Sequence, residues 1–97
     1  MKRVKLWIRV ERKNGARVMQ LQIDKTELTL FNNERDVMAT PGRQYWLFIV
    51  IEGRAGASVE LTVQMENGPQ LLKVPHSVMS VPPRLGRNAG IFSFNVP

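Results

Sequence analysis

Apolar residues recur at every second position through most of this chain, the period of a strand with one buried face. Val4, Leu6, Ile8 and Val10 alternate with Lys5, Trp7 and Arg9. Asn14-Gly15 follows, a pair that accepts the positive φ angles of a two-residue type I′ turn. After it runs Val18-Met19-Gln20-Leu21-Gln22-Ile23. A turn centred on Asn14-Gly15 predicts a hairpin of one register, with Val10 opposite Met19, Ile8 opposite Leu21 and Leu6 opposite Ile23. Its other face pairs Arg9 with Gln20 and Trp7 with Gln22, and a one-residue slip would mix the two faces.

The same logic applies further on. Val59, Leu61, Val63 and Met65 alternate with Ser58, Glu60, Thr62 and Gln64, and Asn67-Gly68-Pro69 follows. Pairing about that turn sets Val63 against Leu72 and Leu61 against Val74, and Pro75 ends the returning strand because it has no N–H to donate. Tyr45 to Glu52 reads YWLFIVIE, apolar on both faces. This pattern suits a central strand covered on both sides, or a strand whose outer face meets a partner. Pro41-Gly42 turns the chain into that run, and Gly53-Arg54-Ala55-Gly56 turns it out. Phe92, Phe94 and Val96 give a last strand. Thr26 to Met38 is ambiguous: Thr29 and Leu30 favour strand, whereas Asp24 to Glu27 has the form of an acid-type helix capping box.

About seven short strands in 97 residues predict a single all-β domain over residues 1–97, an antiparallel β-sandwich, with a small open barrel as its rival. The stretch TPGRQYWLFIVIEGRAGASVELTV, residues 40 to 63, resembles the middle of many bacterial immunoglobulin-like sandwiches. There a Pro-Gly turn leads an aromatic residue into a long strand, and a Gly-rich turn leads to the next. The resemblance implies an immunoglobulin-like general plan and no activity. The Cys-Trp-Cys pattern of antibody domains is absent.

Charge changes the picture more than overall composition does. Hydrophobic residues make up 43%, ordinary for a globular chain, and the net charge is +6. All of that surplus lies in residues 1–17, where Lys2, Arg3, Lys5, Arg9, Arg12, Lys13 and Arg17 meet only Glu11. In the hairpin register, Arg3, Lys5, Trp7 and Arg9 share a face, with Arg12 and Arg17 nearby. A basic row around an aromatic ring is one way a sheet binds single-stranded nucleic acid or another polyanion, cations meeting phosphates and the ring stacking on a base. The plainer explanation is that basic side chains on an edge strand prevent sheet-to-sheet aggregation.

Other chemistry finds little support. The absence of cysteine excludes disulfides, thiolate nucleophiles and thiolate metal ligands. His76 stands alone, and on an extended chain it points away from Ser77; neither Ser77 nor Ser80 sits in a nucleophile elbow. No metal site is expected, since Glu34 and Asp36 are the nearest acidic pair and pair more simply with Arg35 or cap a turn. Glu52 and Glu60 flank a Gly-rich turn and fit cross-strand ion pairs better than a carboxylate active site. The loop Arg84-Leu85-Gly86-Arg87-Asn88-Ala89-Gly90 lacks a P-loop ending; it is a turn, or an anion-binding loop built on Arg84, Arg87 and backbone amides. No apolar run approaches the length of a membrane span and no signal-type segment is recognisable, so a cytoplasmic protein without membrane insertion is expected.

The expectation is therefore a non-enzymatic interaction module without a cofactor, self-associating as a homodimer or docking on a protein. Its interface residues are Tyr45, Trp46, Phe48 and Val50. The alternative is a nucleic-acid or polyanion binder that uses Arg3, Lys5, Trp7, Arg9, Arg12 and Arg17.

Overall fold

The computed structural model describes residues 2–72 and 77–97. Its strands are β1 (Val4–Lys13), β2 (Arg17–Ile23), β3 (Thr26–Glu27), β4 (Glu34–Ala39), β5 (Gln44–Glu52), β6 (Ser58–Met65), β7 (Gln70–Leu72), β8 (Val78–Ser80) and β9 (Arg87–Asn95). They form two antiparallel sheets. One has the order β4-β1-β6-β7, with β8 pairing on β6 beside β7; the other has the order β3-β2-β5-β9. The inner faces meet in one apolar core that includes Leu6, Ile8 and Val10 of β1, Leu47, Ile49 and Ile51 of β5, and Val59, Leu61 and Val63 of β6. This is the all-β sandwich predicted by the alternation, with each inward row supplied by every second residue. The strand order does not confirm an immunoglobulin-like plan.

The first hairpin does not form. Asn14 and Gly15 take positive φ angles of 57° and 78°, as a type I′ turn needs. The Ala16 N–H donates to the Lys13 carbonyl across them. There the ladder stops. Lys13 pairs with Ser58 of β6, and Arg17 pairs with Glu52 of β5. The turn is an arch between the sheets, and β1 is flanked by β4 and β6 instead of β2. Paired side by side, β1 and β2 would leave their joint apolar face in need of a second layer. Arched over, Leu6, Ile8 and Val10 join the core from one sheet while Leu21 and Ile23 join it from the other. Met19, expected inward opposite Val10, sits at a register shift between Val18 and Gln20 and is 52% exposed. The extra residue of a bulge is left outside the ladder, so Met19 escapes the two-residue alternation.

The second hairpin forms as expected where the structure describes it, with Val63 paired to Leu72. Val74, Pro75 and His76 lie outside the described residues. Thr26 to Met38 holds no helix; it supplies β3 and β4, and Asp24 takes the positive φ of 50° that turns β2 into β3. β3, β4 and a three-residue β8 that carries little pattern bring the count among the described residues to nine, against about seven expected.

β5 is central in its sheet, between β2 and β9. Its entry is anchored at one corner. The Tyr45 hydroxyl accepts a hydrogen bond from the Thr40 N–H (2.8 Å), and its ring lies 5.9 Å from that of Phe94 with the Arg43 guanidinium 4.6 Å away on the ring. Burial opposes ionisation of this phenol, but the Thr40 bond and the Arg43 charge outweigh it and hold the group below its ordinary value. Asp24 completes the corner. It accepts from the Trp46 N–H at 3.1 Å and pairs with Arg43 at 2.8 Å.

Candidate interaction surfaces

The outer face of the β4-β1-β6 sheet carries the basic row. Lys5, Trp7 and Arg9 alternate with the buried Leu6, Ile8 and Val10, so they point outward together, as expected. Their neighbours differ from the hairpin prediction. Trp7, 45% exposed, lies between Asp36 of β4 and Gln64 of β6, and Arg9 lies between Glu34 and Thr62. Gln20 and Gln22, expected beside Arg9 and Trp7, are on the other sheet. The cations find carboxylates: Lys5 and Asp36 approach to 3.6 Å, Arg9 and Glu34 to 3.8 Å, and Lys13 and Glu60 to 2.7 Å. The Lys13–Glu60 hydrogen bond and charge attraction raise the Lys13 ammonium above its usual value. Of the remaining predicted cations, Arg3 is exposed just before β1, and Arg12 lines an open hollow with Met19, Leu30 and Asn33. Arg17 is on β2 and pairs with Glu52 at 2.5 Å. The six predicted polyanion residues are therefore spread over three places, and two acidic residues of β4 lie within the basic row.

The outer face of the β2-β5-β9 sheet is different. Trp46, Phe48 and Val50 alternate with the buried Tyr45, Leu47, Ile49 and Ile51. Tyr45, predicted with the interface set, faces the core and is only 6% exposed. Its parity with Leu47 decides this. Gln20 and Gln22 flank Val50 and Phe48 on one side; Ala89, Ile91 and Ser93 flank Val50, Phe48 and Trp46 on the other. Trp46 is 51% and Ile91 63% exposed. The middle of this face holds no charge. Ile91 has the opposite parity to Phe92, Phe94 and Val96, so the alternation of the last strand does not mark it; its signal in the sequence is a single apolar residue out of phase with that row.

β9 is also an edge. The Gly53 N–H donates to the Gly86 carbonyl and the Val96 N–H to the Arg43 carbonyl, both at 3.0 Å. In the antiparallel ladder, even-numbered residues of this stretch thus turn their backbone groups toward β5. Arg87, Ala89, Ile91, Ser93 and Asn95 turn theirs toward the open side. The Ala89 N–H is met by the Asn88 side chain at 2.9 Å. Among the described residues, no strand lies beyond β9.

A third feature lies at the rim. Arg17 and Arg87 both pair with Glu52, at 2.5 and 3.1 Å, beside a hollow of about 680 Å³ that Arg54 also lines. Of the predicted anion loop, Leu85, Gly86 and Arg87 line this hollow and Arg84 does not, while Arg87 to Gly90 belong to β9.

Catalytic candidates stay apart. The Ser77 hydroxyl is fully buried and has no hydrogen-bond partner among the described residues. Ser80 is exposed and its carbonyl accepts from Asn88. Glu52 and Glu60 are each engaged with cations, on different sheets. Glu34 and Asp36 pair with Arg9 and Lys5. Among the described residues no group of three or more acidic, His or Cys side chains is placed to hold a metal, and no helix is long and apolar enough to cross a membrane.

Searches against family models, curated proteins and solved structures found no match to this chain.

Proposed function

We propose that this chain is a non-enzymatic interaction module that pairs with a second copy of itself, β9 against β9 in antiparallel sense. The observation that carries this reading is the long, uncharged β9 edge, capped among the described residues at the Ala89 N–H alone. The other edges are blunted: β3 has two residues, β7 and β8 three each, and β4 carries Glu34, Arg35 and Asp36. β9 is nine residues long and has neither charge nor proline from Asn88 to Asn95. Edges of that kind pair unless something prevents it. Pairing about Ile91 uses the strand from Arg87 to Asn95, with the Ala89 N–H exchanging its Asn88 side-chain partner for the copy's backbone. Ile91 meets its own copy, Ala89 meets Ser93, and Arg87 meets Asn95, so no like charges are opposed. The two Trp46-Phe48-Ile91 surfaces then join into one apolar strip across the continuous sheet.

The test is light scattering across a concentration series. The native chain is expected to rise from 11.1 kDa toward twice that mass. Ile91→Lys, a change at an exposed position that leaves the core untouched, is expected to stay monomeric with an unchanged melting temperature. A native chain that stays at 11.1 kDa throughout, or an Ile91→Lys variant that associates as tightly as the native one, overturns the proposal.

A further inference from the structure

Three turns that are distant in sequence meet at one end of the sandwich. They are the Asn14-Gly15 arch between β1 and β2, the Gly53-Arg54 turn after β5, and the Leu85-Gly86 loop before β9, and together they line the rim hollow of about 680 Å³. The Gly53 N–H to Gly86 carbonyl bond ties two of them. The glycines are dictated by backbone and space. Gly15 and Gly86 have φ of 78° and 72°, and a Cβ on Gly53 would lie 2.9 Å from that of Ala57. Side-chain bulk around the hollow therefore comes largely from its charged residues and Leu85.

Those charges do not balance. Arg17, Arg54 and Arg87 face Glu52 alone. Glu52 spends one oxygen on each of Arg17 and Arg87. It fixes two guanidinium groups at the hollow while using one nitrogen of each, and a guanidinium has five N–H donors. Arg54 has no ion pair among the described residues. The cluster keeps a surplus of two positive charges in a concave, glycine-walled setting, whereas the cations of the β1 face lie on a flat sheet among carboxylates. Planar forks converging on one space suit the oxygens of a tetrahedral dianion.

We infer that this rim hollow is a binding site for a phosphoryl dianion, a phosphate monoester or free phosphate, with Arg54 as the closing ligand and Glu52 as the residue that positions Arg17 and Arg87. A dianion cancels the local surplus, while the single charge of a phosphodiester does not. The site lies within one protomer and does not depend on the pairing of β9.

The probe is inorganic phosphate, followed by thermal shift and by phosphorus NMR line broadening, with chloride at matched ionic strength as the control. Phenyl phosphate and a short oligonucleotide without terminal phosphates form the two further arms. Saturable stabilisation by phosphate and by phenyl phosphate is expected, weakened about tenfold or more in Arg54→Ala and partly restored in Arg54→Lys. Arg17→Ala is expected to weaken binding as well, and both exposed substitutions should leave the ligand-free melting temperature within a few degrees. Stabilisation no greater than with chloride, or equal binding by native chain and Arg54→Ala, overturns the inference. So does an oligonucleotide that binds while phosphate does not, because it moves recognition from the dianion to the polymer backbone.

Discussion

Ile49→Ala and Val50→Ala differ by one position on β5, yet the sandwich predicts very different costs for them. Ile49 is fully buried, in the middle of a central strand, between Leu21 of β2 and Gly90 of β9. Ladders on both sides hold the backbone in place, so little collapse into the vacated space is available. Truncation of such a residue costs about 3–5 kcal/mol, the lost transfer energy plus the cavity. At about 4–8 °C per kcal/mol for a domain of this size, the melting temperature should fall by roughly 12–40 °C. Val50 is half-buried on the outer face. Its truncation removes two methyl groups that still touch water and leaves no cavity, a loss of about 0.5–1 kcal/mol. The assay is thermal unfolding followed by circular dichroism at low micromolar concentration, where self-association is minimal. If Val50→Ala costs as much as Ile49→Ala in the dilute chain, the outer face is covered within one protomer, and the open β2-β5-β9 surface described above is wrong.

Two further outcomes are expected. The chain has one tyrosine, so an ultraviolet titration reads Tyr45 directly. Its ionisation should begin below the ordinary value of about 10, and Arg43→Ala should move it upward. A phenol depressed in the folded state contributes stability that is present above the unfolded value and is lost as pH falls through the folded one. A titration at or above the ordinary value contradicts the Tyr45 corner. The second outcome concerns topology. Val10 donates to the Asn33 carbonyl, so even-numbered residues of β1 bond toward β4, and Lys5–Met38 is a non-hydrogen-bonded pair whose side chains approach closely. In this cysteine-free chain, Lys5→Cys with Met38→Cys should oxidise readily to a disulfide, while Arg9→Cys with Gln20→Cys, the pair of a β1–β2 hairpin, should not. The opposite result restores the hairpin.

What the sequence disclosed and what it withheld follow from the range of each interaction. Alternation is a property of a single strand, so Leu6, Ile8 and Val10 were correctly placed inward, and Lys5, Trp7 and Arg9 outward. The left-handed conformation of Asn14-Gly15 is equally local and was legible. Which strand lies beside β1 is a competition among distant edges, and an Asn-Gly turn serves an arch as well as a hairpin. The error propagated to the site. With β2 as neighbour, the basic row sits beside glutamines; with β4 as neighbour, it sits beside Glu34 and Asp36. Trp46, Phe48 and Val50 were legible as an over-apolar row, but Tyr45 was set with them although its parity with Leu47 puts it in the core. The rim cluster was legible only in parts. Arg17 of β2 and Arg87 of β9 flank Glu52 of β5 in one sheet and Arg54 follows β5, so the pairing of strands distant in sequence brings them to one end.

The proposed pairing of β9 is tested most directly by residue-resolved amide hydrogen exchange, measured by NMR over a range of protein concentrations. The amides of Phe92 and Phe94 bond toward β5 and should be protected at every concentration. Those of Ile91, Ser93 and Asn95 face the open edge; they should exchange fast in dilute solution and slow down as the mass doubles. If those three amides remain fast at concentrations where the mass has doubled, the copies meet elsewhere and β9 is not the interface.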